Sequence, residues 1–543
     1  MDSFNYPSLH HLSALQKEGL PIWDALNDKV VTSRPFLLME TADGPGMTCL
    51  NGLVGHHGVY GCRLYCPLKG RRKEGKPHYY PVMKLPTNYT LVGCSHPSID
   101  PKLLPPPSET EYLRNLEFVL ASRNETDYKE RRKATGIAKP SLFSGLQREH
   151  MLGIPGCFPG DIMHWASLNW TELVLALFRG TLQCERPDSK DKWTWAVLQG
   201  DIWTNHGQAV ADATPYLPGS FDRPPGYKAW EYLLYIVGLA PALLHGVLPD
   251  AHWKHLCKGL IERHKLAIEY VSEFEELYFQ GMPERIHFVR QSVHVMTHLA
   301  LEVICVGPAA LYSQWTMERT IGNLGQEIKL HSNPYANLSE RGLRRSQVNA
   351  LKAMIPDLDP EDKKLPRGSI ELEDGFVLLH AKDEYGHRID GDEGRAIRKF
   401  LEDRNGPTPG SLSVVRWARL RIPNSQIARS LWKESRCPLD KIRIARNVKI
   451  LHYGNHEIAE VHFFFMAEVE GTREALVLAN LYSQPDKEML RASHRTVWWC
   501  NCEQVVAMIP WHGSNSYFLV EKPGLDVIWL SDYAKADDAD NDN

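Results

Sequence analysis

Two acidic residues stand where carboxylates do chemistry. Asp43 follows the compact apolar run Phe36-Leu-Leu-Met39 and opens the turn Asp43-Gly-Pro-Gly46. That pattern predicts a buried strand running into a tight turn, with a carboxylate at the strand's C-terminal end. Open α/β sheets bind their ligands at such ends; the plain alternative is an aspartate bonded to its own turn amides. Glu318 lies in the amphipathic stretch Gln314-Trp-Thr-Met-Glu318-Arg-Thr-Ile321, where the alternative is an exposed glutamate paired along its helix. Together they supply two ligands of a two-metal phosphoryl-transfer site. Such sites hold ions about 3.5–4 Å apart and need three or more carboxylates. Two acids alone do not complete one.

A second group has metal-ligand chemistry. Cys62-Arg-Leu-Tyr-Cys66 has workable zinc spacing, His56-His57 precede it, and Cys157 and Asp161-Ile-Met-His164 come later. The ligand set this suggests is Cys62, Cys66 and His164, with Cys157 or His57 completing a tetrahedron. This reading finds no second close Cys/His pair. The alternative is that the cysteines are small buried hydrophobes and the histidines bridge elements. Cys500-Asn-Cys502 reads as strand packing.

Three basic clusters follow. Arg63, Lys69, Arg71, Arg72, Lys73 and Lys76 face only Glu74; Lys129-Glu-Arg-Arg-Lys133 is the second; Lys329, Arg341, Arg344, Arg345 and Lys352 form a looser third. Clusters of this kind hold phosphate backbones, although each is also what a solvated charged face looks like. Most tryptophans sit in apolar helical contexts and read as core. Trp315, three residues before Glu318, is the exception.

The elements that must position these residues change character along the chain. Residues 1–104 mix short apolar runs with glycine-rich turns, including helical spacing from Pro7 to Asn27 that Pro21 can break. Residues 105–290 are mostly helical, as in Trp165–Phe178 and Leu256–Tyr278, and 291–352 carry the Glu318 helix. Residues 353–410 look like a charged, proline-containing linker. Residues 411–531 hold strand-like runs, among them Glu460–Met466, Thr496–Cys500 and Tyr517–Val520. They predict a small β domain, barrel or sandwich. Residues 532–543 are acidic and apolar-poor, the composition of disorder.

Composition narrows the partners. The chain has 543 residues, with 62 Lys and Arg against 66 Asp and Glu, a net charge of -4. A binder that is basic all over is excluded, so a nucleic acid can be held only through local patches. The longest apolar run, Tyr232–Leu244, contains Pro241 and falls short of the roughly 20 residues a membrane span needs. No signal peptide is seen, and 11 scattered cysteines fit a reducing compartment.

Several stretches in this order closely resemble the transposases of CACTA (En/Spm-type) DNA transposons, fungal relatives especially. They are Asp43-Gly-Pro-Gly46, Asn51-Gly-Leu-Val-Gly-His-His-Gly-Val-Tyr-Gly-Cys-Arg-Leu-Tyr-Cys66, Phe158-Pro-Gly-Asp-Ile-Met-His164 and Gln314-Trp-Thr-Met-Glu-Arg-Thr-Ile-Gly-Asn-Leu324. The resemblance covers residues 1–350. It implies an α/β fold with a partial ribonuclease-H-like core, a large all-α insertion and a C-terminal all-β domain. It matches Asp43 to the second aspartate of a DDE triad and Glu318 to the final glutamate. Asp161 and His164 match a supporting Cys/Asp-x-x-His signature. The separation of 275 residues (318 − 43) suits a core interrupted by an insertion. The family's first aspartate lies upstream of the segment that Met1–Asn27 resembles, so the resemblance implies an N-terminally truncated, inactive copy. Its implied cofactors are Mg²⁺ or Mn²⁺, with zinc as a further candidate. Its implied partner is the double-stranded DNA of transposon ends, gripped by Arg63, Lys69, Arg71, Arg72, Lys73, Arg341, Arg344 and Arg345. A homo-oligomer and a nuclear location go with it, and no membrane. The alternative is a domesticated or relic module that binds DNA or protein without catalysis.

Overall fold

The computed structural model describes residues 2–24, 26–221, 229–259, 264–328, 332–355, 358, 365–407, 410–452, 455–483, 504–511 and 516–521. The expected strand Thr496–Cys500, the Cys500/Cys502 pair, Lys329 and the acidic tail lie outside them. The fold mixes helix and sheet. It divides into two compact units, Met1–Trp203 with Leu244–Glu318, and Thr204–Leu243 with Arg319–Asn543. No helix among the described residues is long and apolar enough to cross a membrane.

The first unit opens with the helix Asp2–Glu18. It stops at Gly19, whose φ of 81° suits a residue without a Cβ. Pro21 then falls in an antiparallel hairpin, Leu20–Asp24 against Lys29–Ser33, so the helical spacing does not carry through to Asn27. Phe36–Met39 is not the buried strand expected. It makes a single parallel bridge, Leu37 to Met151, while Phe36 and Leu38 stay exposed, because no strand among the described residues pairs with this segment to cover it. The helix Gly44–Asn51 follows, capped by Asp43. It packs with Glu109–Leu120, which buries Tyr112, Leu116 and Val119 on one stripe, the spacing of a helix half sunk in a core. Ser108 Oγ accepts the Glu111 amide at its start, and Glu109 and Glu111 in its first turn suit the positive end of the helix dipole. Between Tyr80 and Ile370 the described elements are all helical.

A second core in this unit is aromatic. Trp193 and Trp195 stack at 5.9 Å, and Phe288 meets Trp193 edge-on at 5.3 Å. Inside it Arg285 donates Nε–H and Nη2–H to the two oxygens of Asp188, at 2.8 and 2.5 Å, and both side chains are 1% exposed. A buried ion pair of this kind survives only with its remaining polar atoms satisfied. Trp193 Nε1–H and the Ser189 amide also donate to Asp188.

The second unit is built on an eight-stranded antiparallel sheet. From edge to edge run Gln504–Val505, Asn447–His452, Asn455–Val469, Arg416–Arg421, Val377–Lys382 and Ile370–Glu371; Ile427–Arg429 pairs with Arg416–Arg421, and Thr472–Leu481 with the long central strand. The long hairpin turns at Glu470 and Gly471, both at positive φ (53° and 85°), the two-residue geometry that matches strand twist. A bulge between Val461 and Phe463 changes which face each residue takes. Val461 and Phe464 join one cluster, with Trp417 and Val448. Phe463 and Phe465 join another, with Ile397 and Leu401 of the helix Gly391–Asn405. Apolar side chains are thus buried on both faces, which accounts for the unbroken run Phe463-Phe-Phe-Met466.

The all-β expectation for 411–531 becomes an open sheet with a helix on it, beside two small two-stranded sheets, Ala507–Pro510 with Tyr517–Val520 and His387–Arg388 with Ser413–Val414. The stretch 353–410, expected as a linker, contributes Ile370–Glu371, Val377–Lys382 and that helix. Its charges lie on the helix's exposed side, while Gly394, Ile397 and Leu401 are buried.

Candidate functional site

Asp161 organises the first candidate site. Its Oδ2 accepts from His164 Nδ1 at 2.6 Å and from the His164 amide at 3.0 Å; its Oδ1 accepts the amides of Gln314 at 2.8 Å and Met163 at 3.3 Å. Asp161 therefore caps the wide helical turns Met163–Trp170 and fastens them to Gln314. The helix Trp315–Glu327 begins there, and the Glu318 amide donates to the Gln314 carbonyl. Burial works to raise the Asp161 pKa, but its bonds from His164 and from the Gln314 amide outweigh it and hold the carboxyl below the ordinary value.

His164 is pushed the other way. Its bond to Asp161 is the largest cause; burial opposes it, and the negative charges of Asp161, Asp43 and Glu318 add to the rise. Asp43 and Glu318, far apart in the chain, thus both act on one imidazole. Asp43 is also the helix cap of its alternative reading, accepting the Gly46 amide at 2.7 Å. Both acids are exposed. Beside Asp43, Asp161 and His164 lies a cavity of about 640 Å³ whose other walls include Arg63, Arg290, His56 and His57. His56 and His57 sit 3.9 Å apart, and His57 stacks on His78 at 3.9 Å. Burial lowers the pKa of both.

The second candidate site is a buried cluster of Cys62, Cys66, His294 and His298, whose ligand atoms all lie within 4.8 Å of one another. Tyr65 shapes the cysteine loop. It takes φ 59°, sinks its ring into the core and donates its hydroxyl to the Thr135 carbonyl at 2.9 Å. That turn brings Cys62 and Cys66 to one side. His294 and His298 are four residues apart on the helical segment 291–306 and so share a face. The hydrogen bond with Cys66 draws the Cys62 thiol well below its ordinary pKa, while burial pushes Cys66 well above. The four residues can hold a metal such as zinc.

His164, expected as a zinc ligand with Cys62 and Cys66, is engaged by Asp161 and is not in this cluster. Cys157 is buried elsewhere, in the apolar cluster with Phe143 and Phe158, and burial lifts its thiol to about 12. The second ligand pair lies 228 residues beyond Cys66. Its signal was present in the sequence: His-x₃-His answers Cys-x₃-Cys, but only folding makes the two pairs neighbours.

The basic residues part company. Arg71 leaves the phosphate-binding set, because it is fully buried and its guanidinium donates to the carbonyls of Val82, Met83, Cys94, His96 and Pro97. Arg63 pairs with Glu302, and Lys73 with Glu185 at 3.0 Å. Arg72 donates to the Lys76 carbonyl. Lys69 is partly exposed. Arg341, Arg344 and Arg345 lie on the helix Pro334–Met354, where Arg344 pairs with Glu340 and Arg345 with Glu327. Trp315, half-buried, opens the Glu318 helix. Compared with family models, with curated proteins and with solved structures, the chain finds no match.

Proposed function

We propose that the protein is transposase-derived, of the DDE type, and that it binds double-stranded DNA without cutting it. The observation that carries this reading is that Asp43, Asp161 and His164 border one cavity while Asp161 also holds the Gln314 amide at the start of the Glu318 helix, 275 residues from Asp43 (318 − 43). An interrupted ribonuclease-H-like core would need such a meeting, and the order of motifs resembling CACTA transposases supports the same descent. In the intact family, Mg²⁺ or Mn²⁺ held by three acids activates water, and then a DNA 3′-hydroxyl, for strand cleavage and joining. Here Asp161 is the further acid at this point, and its oxygens are taken up by His164, Met163 and Gln314. Two carboxylates neutralise a two-metal site poorly, so strand cleavage is not supported. Zinc is the ion whose softness suits the thiolate–imidazole cluster. DNA contact falls to Lys69, Arg72 and the arginines of Pro334–Met354.

The test is nicking of supercoiled plasmid with Mg²⁺ or Mn²⁺, beside DNA binding over a salt series, for the wild type, Asp43→Asn and Glu318→Gln. The expected result is salt-sensitive binding without nicking. Nicking that both substitutions abolish overturns the loss of cleavage. Absence of salt-sensitive binding overturns the DNA reading itself.

A further inference from the structure

Three of the six edges of the cysteine–histidine cluster are close to those of a coordination tetrahedron, and all four ligand atoms lie within 4.8 Å of one another. With zinc–sulfur bonds near 2.3 Å and zinc–nitrogen bonds near 2.05 Å, sulfur–nitrogen edges come to about 3.5 Å and nitrogen–nitrogen edges to about 3.3 Å. The observed edges are 3.3 Å for Cys62 Sγ to His298 Nε2, 3.3 Å for Cys66 Sγ to His294 Nε2, and 3.1 Å between the two Nε2 atoms. Nδ1 of His294 is buried without a hydrogen-bond partner, so that ring's polar engagement is all at Nε2, toward the cluster. The four side chains are at most 5% exposed, and Cys62 and His294 border the 640 Å³ cavity. Four protein ligands fill a tetrahedral ion's coordination without a substrate or water, which is the mark of a structural site.

Its neighbours connect it to the acids. Arg63 follows Cys62 and pairs with Glu302, one helical turn beyond His298. The other Glu302 oxygen accepts the Gly160 amide at 2.9 Å, and Gly160 precedes Asp161. A bound ion would therefore fix both ends of the Arg63–Glu302 pair, one through Cys62 and one through His298.

We propose that Cys62, Cys66, His294 and His298 bind one zinc ion as a closed structural clasp. Through Arg63 and Glu302 the clasp holds the 160–164 turn that carries Asp161 and His164. Both cysteines bind as thiolates, their protons passing to solvent. Glu302 is a positioning residue.

The test uses the purified full-length chain and no DNA, so its failure and that of the DNA reading are separate events. Mass spectrometry of metals is expected to find one zinc per chain, and cobalt(II) exchanged into the site to show the visible bands of tetrahedral thiolate coordination. Against a competing chelator, His298→Ala weakens zinc retention by more than the roughly 100-fold that losing an outer-shell partner costs. His298→Cys, which keeps four zinc ligands, retains it. Hydrogen exchange tests the connection. Removing zinc, or Glu302→Ala, speeds exchange of amides 157–158 and 160–165; Glu302→Gln, which can still accept the Gly160 amide, restores protection, and the helix Glu109–Leu120 is unchanged throughout. A wild type that neither contains nor takes up zinc, or a His298→Ala that keeps it as tightly, overturns the site. Unchanged exchange at these amides after zinc removal overturns the connection.

Discussion

Replacing Asp161 by Asn removes the charge that joins the start of the Met163–Trp170 turns to Gln314 and to His164. The two titrations act in opposite senses. The Asp161 carboxyl is held below its unfolded pKa, so its stabilisation is present above the unfolded value and lost as pH falls through the folded one. His164 is held above its unfolded pKa, so its share is fully present below the ordinary histidine value and lost as pH rises through the raised one. The pair therefore stabilises fully in the window between the unfolded carboxyl value and the ordinary histidine value, and less on either side as pH passes through the lowered carboxyl and the raised imidazole. A hydrogen bond between charged groups contributes about 1.5–3 kcal/mol. His164 is 28% exposed, and solvent trims that toward about 2 kcal/mol, or roughly 4 °C in midpoint for a unit of this size. Thermal melts of wild type and Asp161→Asn across pH, with the His164 ring titrated by NMR, measure both effects. The expected cost is largest inside the window and shrinks on either side, and the His164 pKa falls in the variant. A cost that is flat with pH, or a His164 pKa that does not move, refutes the reasoning.

Other outcomes follow from the same geometry. Asp188→Ala strands the buried Arg285 guanidinium and is expected to cost about 3–5 kcal/mol in urea denaturation, while the double change Asp188→Leu with Arg285→Met costs markedly less; equal losses would contradict the pairing. Glu275 is buried against the amides of Met83 and Lys84, and burial raises its pKa from 4.5 to about 7. Between those values the folded state keeps a proton that the unfolded state releases, so stability falls as pH rises, by on the order of 3 kcal/mol in all. Glu275→Gln should flatten that slope, and a urea midpoint that still falls across the window would exclude Glu275 as its source. Gly52 ends the Gly44–Asn51 helix at φ 72°, and a Cβ there would overlap the Lys139 carbonyl. Gly52→Ala is expected to lower stability by at least about 1–3 kcal/mol, and a neutral result would mean the 136–140 segment yields freely.

What the chain discloses before folding depends on whether a residue's meaning is local. The cap at Asp43, which is the plain alternative to a strand-end carboxylate, the helix that carries Glu318 and the strand runs Glu460–Met466 and Tyr517–Val520 are short-range patterns, and the structure has them. Phe36–Met39 misled because an apolar run says nothing of whether strands exist to flank it. The zinc-type ligands were half legible. Cys62 and Cys66 are four residues apart, but His294 and His298 become their partners only when the 291–306 segment packs against the cysteine loop. Arg71 looked like part of a basic surface because charge runs carry no depth; five backbone carbonyls reached from the following 26 residues decide where it sits. The 353–410 stretch read as a linker because its helix buries a narrow stripe and leaves its many charges outside.

The second unit is discontinuous in sequence, and that has a consequence for synthesis. Phe221, Leu234 and Leu239 share a core with Ala507, Ile509 and Val520. The ribosome must add 264 more residues after Leu243 before Ala507 exists (507 − 243), roughly 10–50 s at ordinary elongation rates. For that interval the 204–243 segment carries apolar side chains whose partners have not yet been made. During that wait the nascent chain offers a chaperone a defined client segment, and a ribosome that stalls before residue 507 releases a product whose sticky face lacks Ala507, Ile509 and Val520.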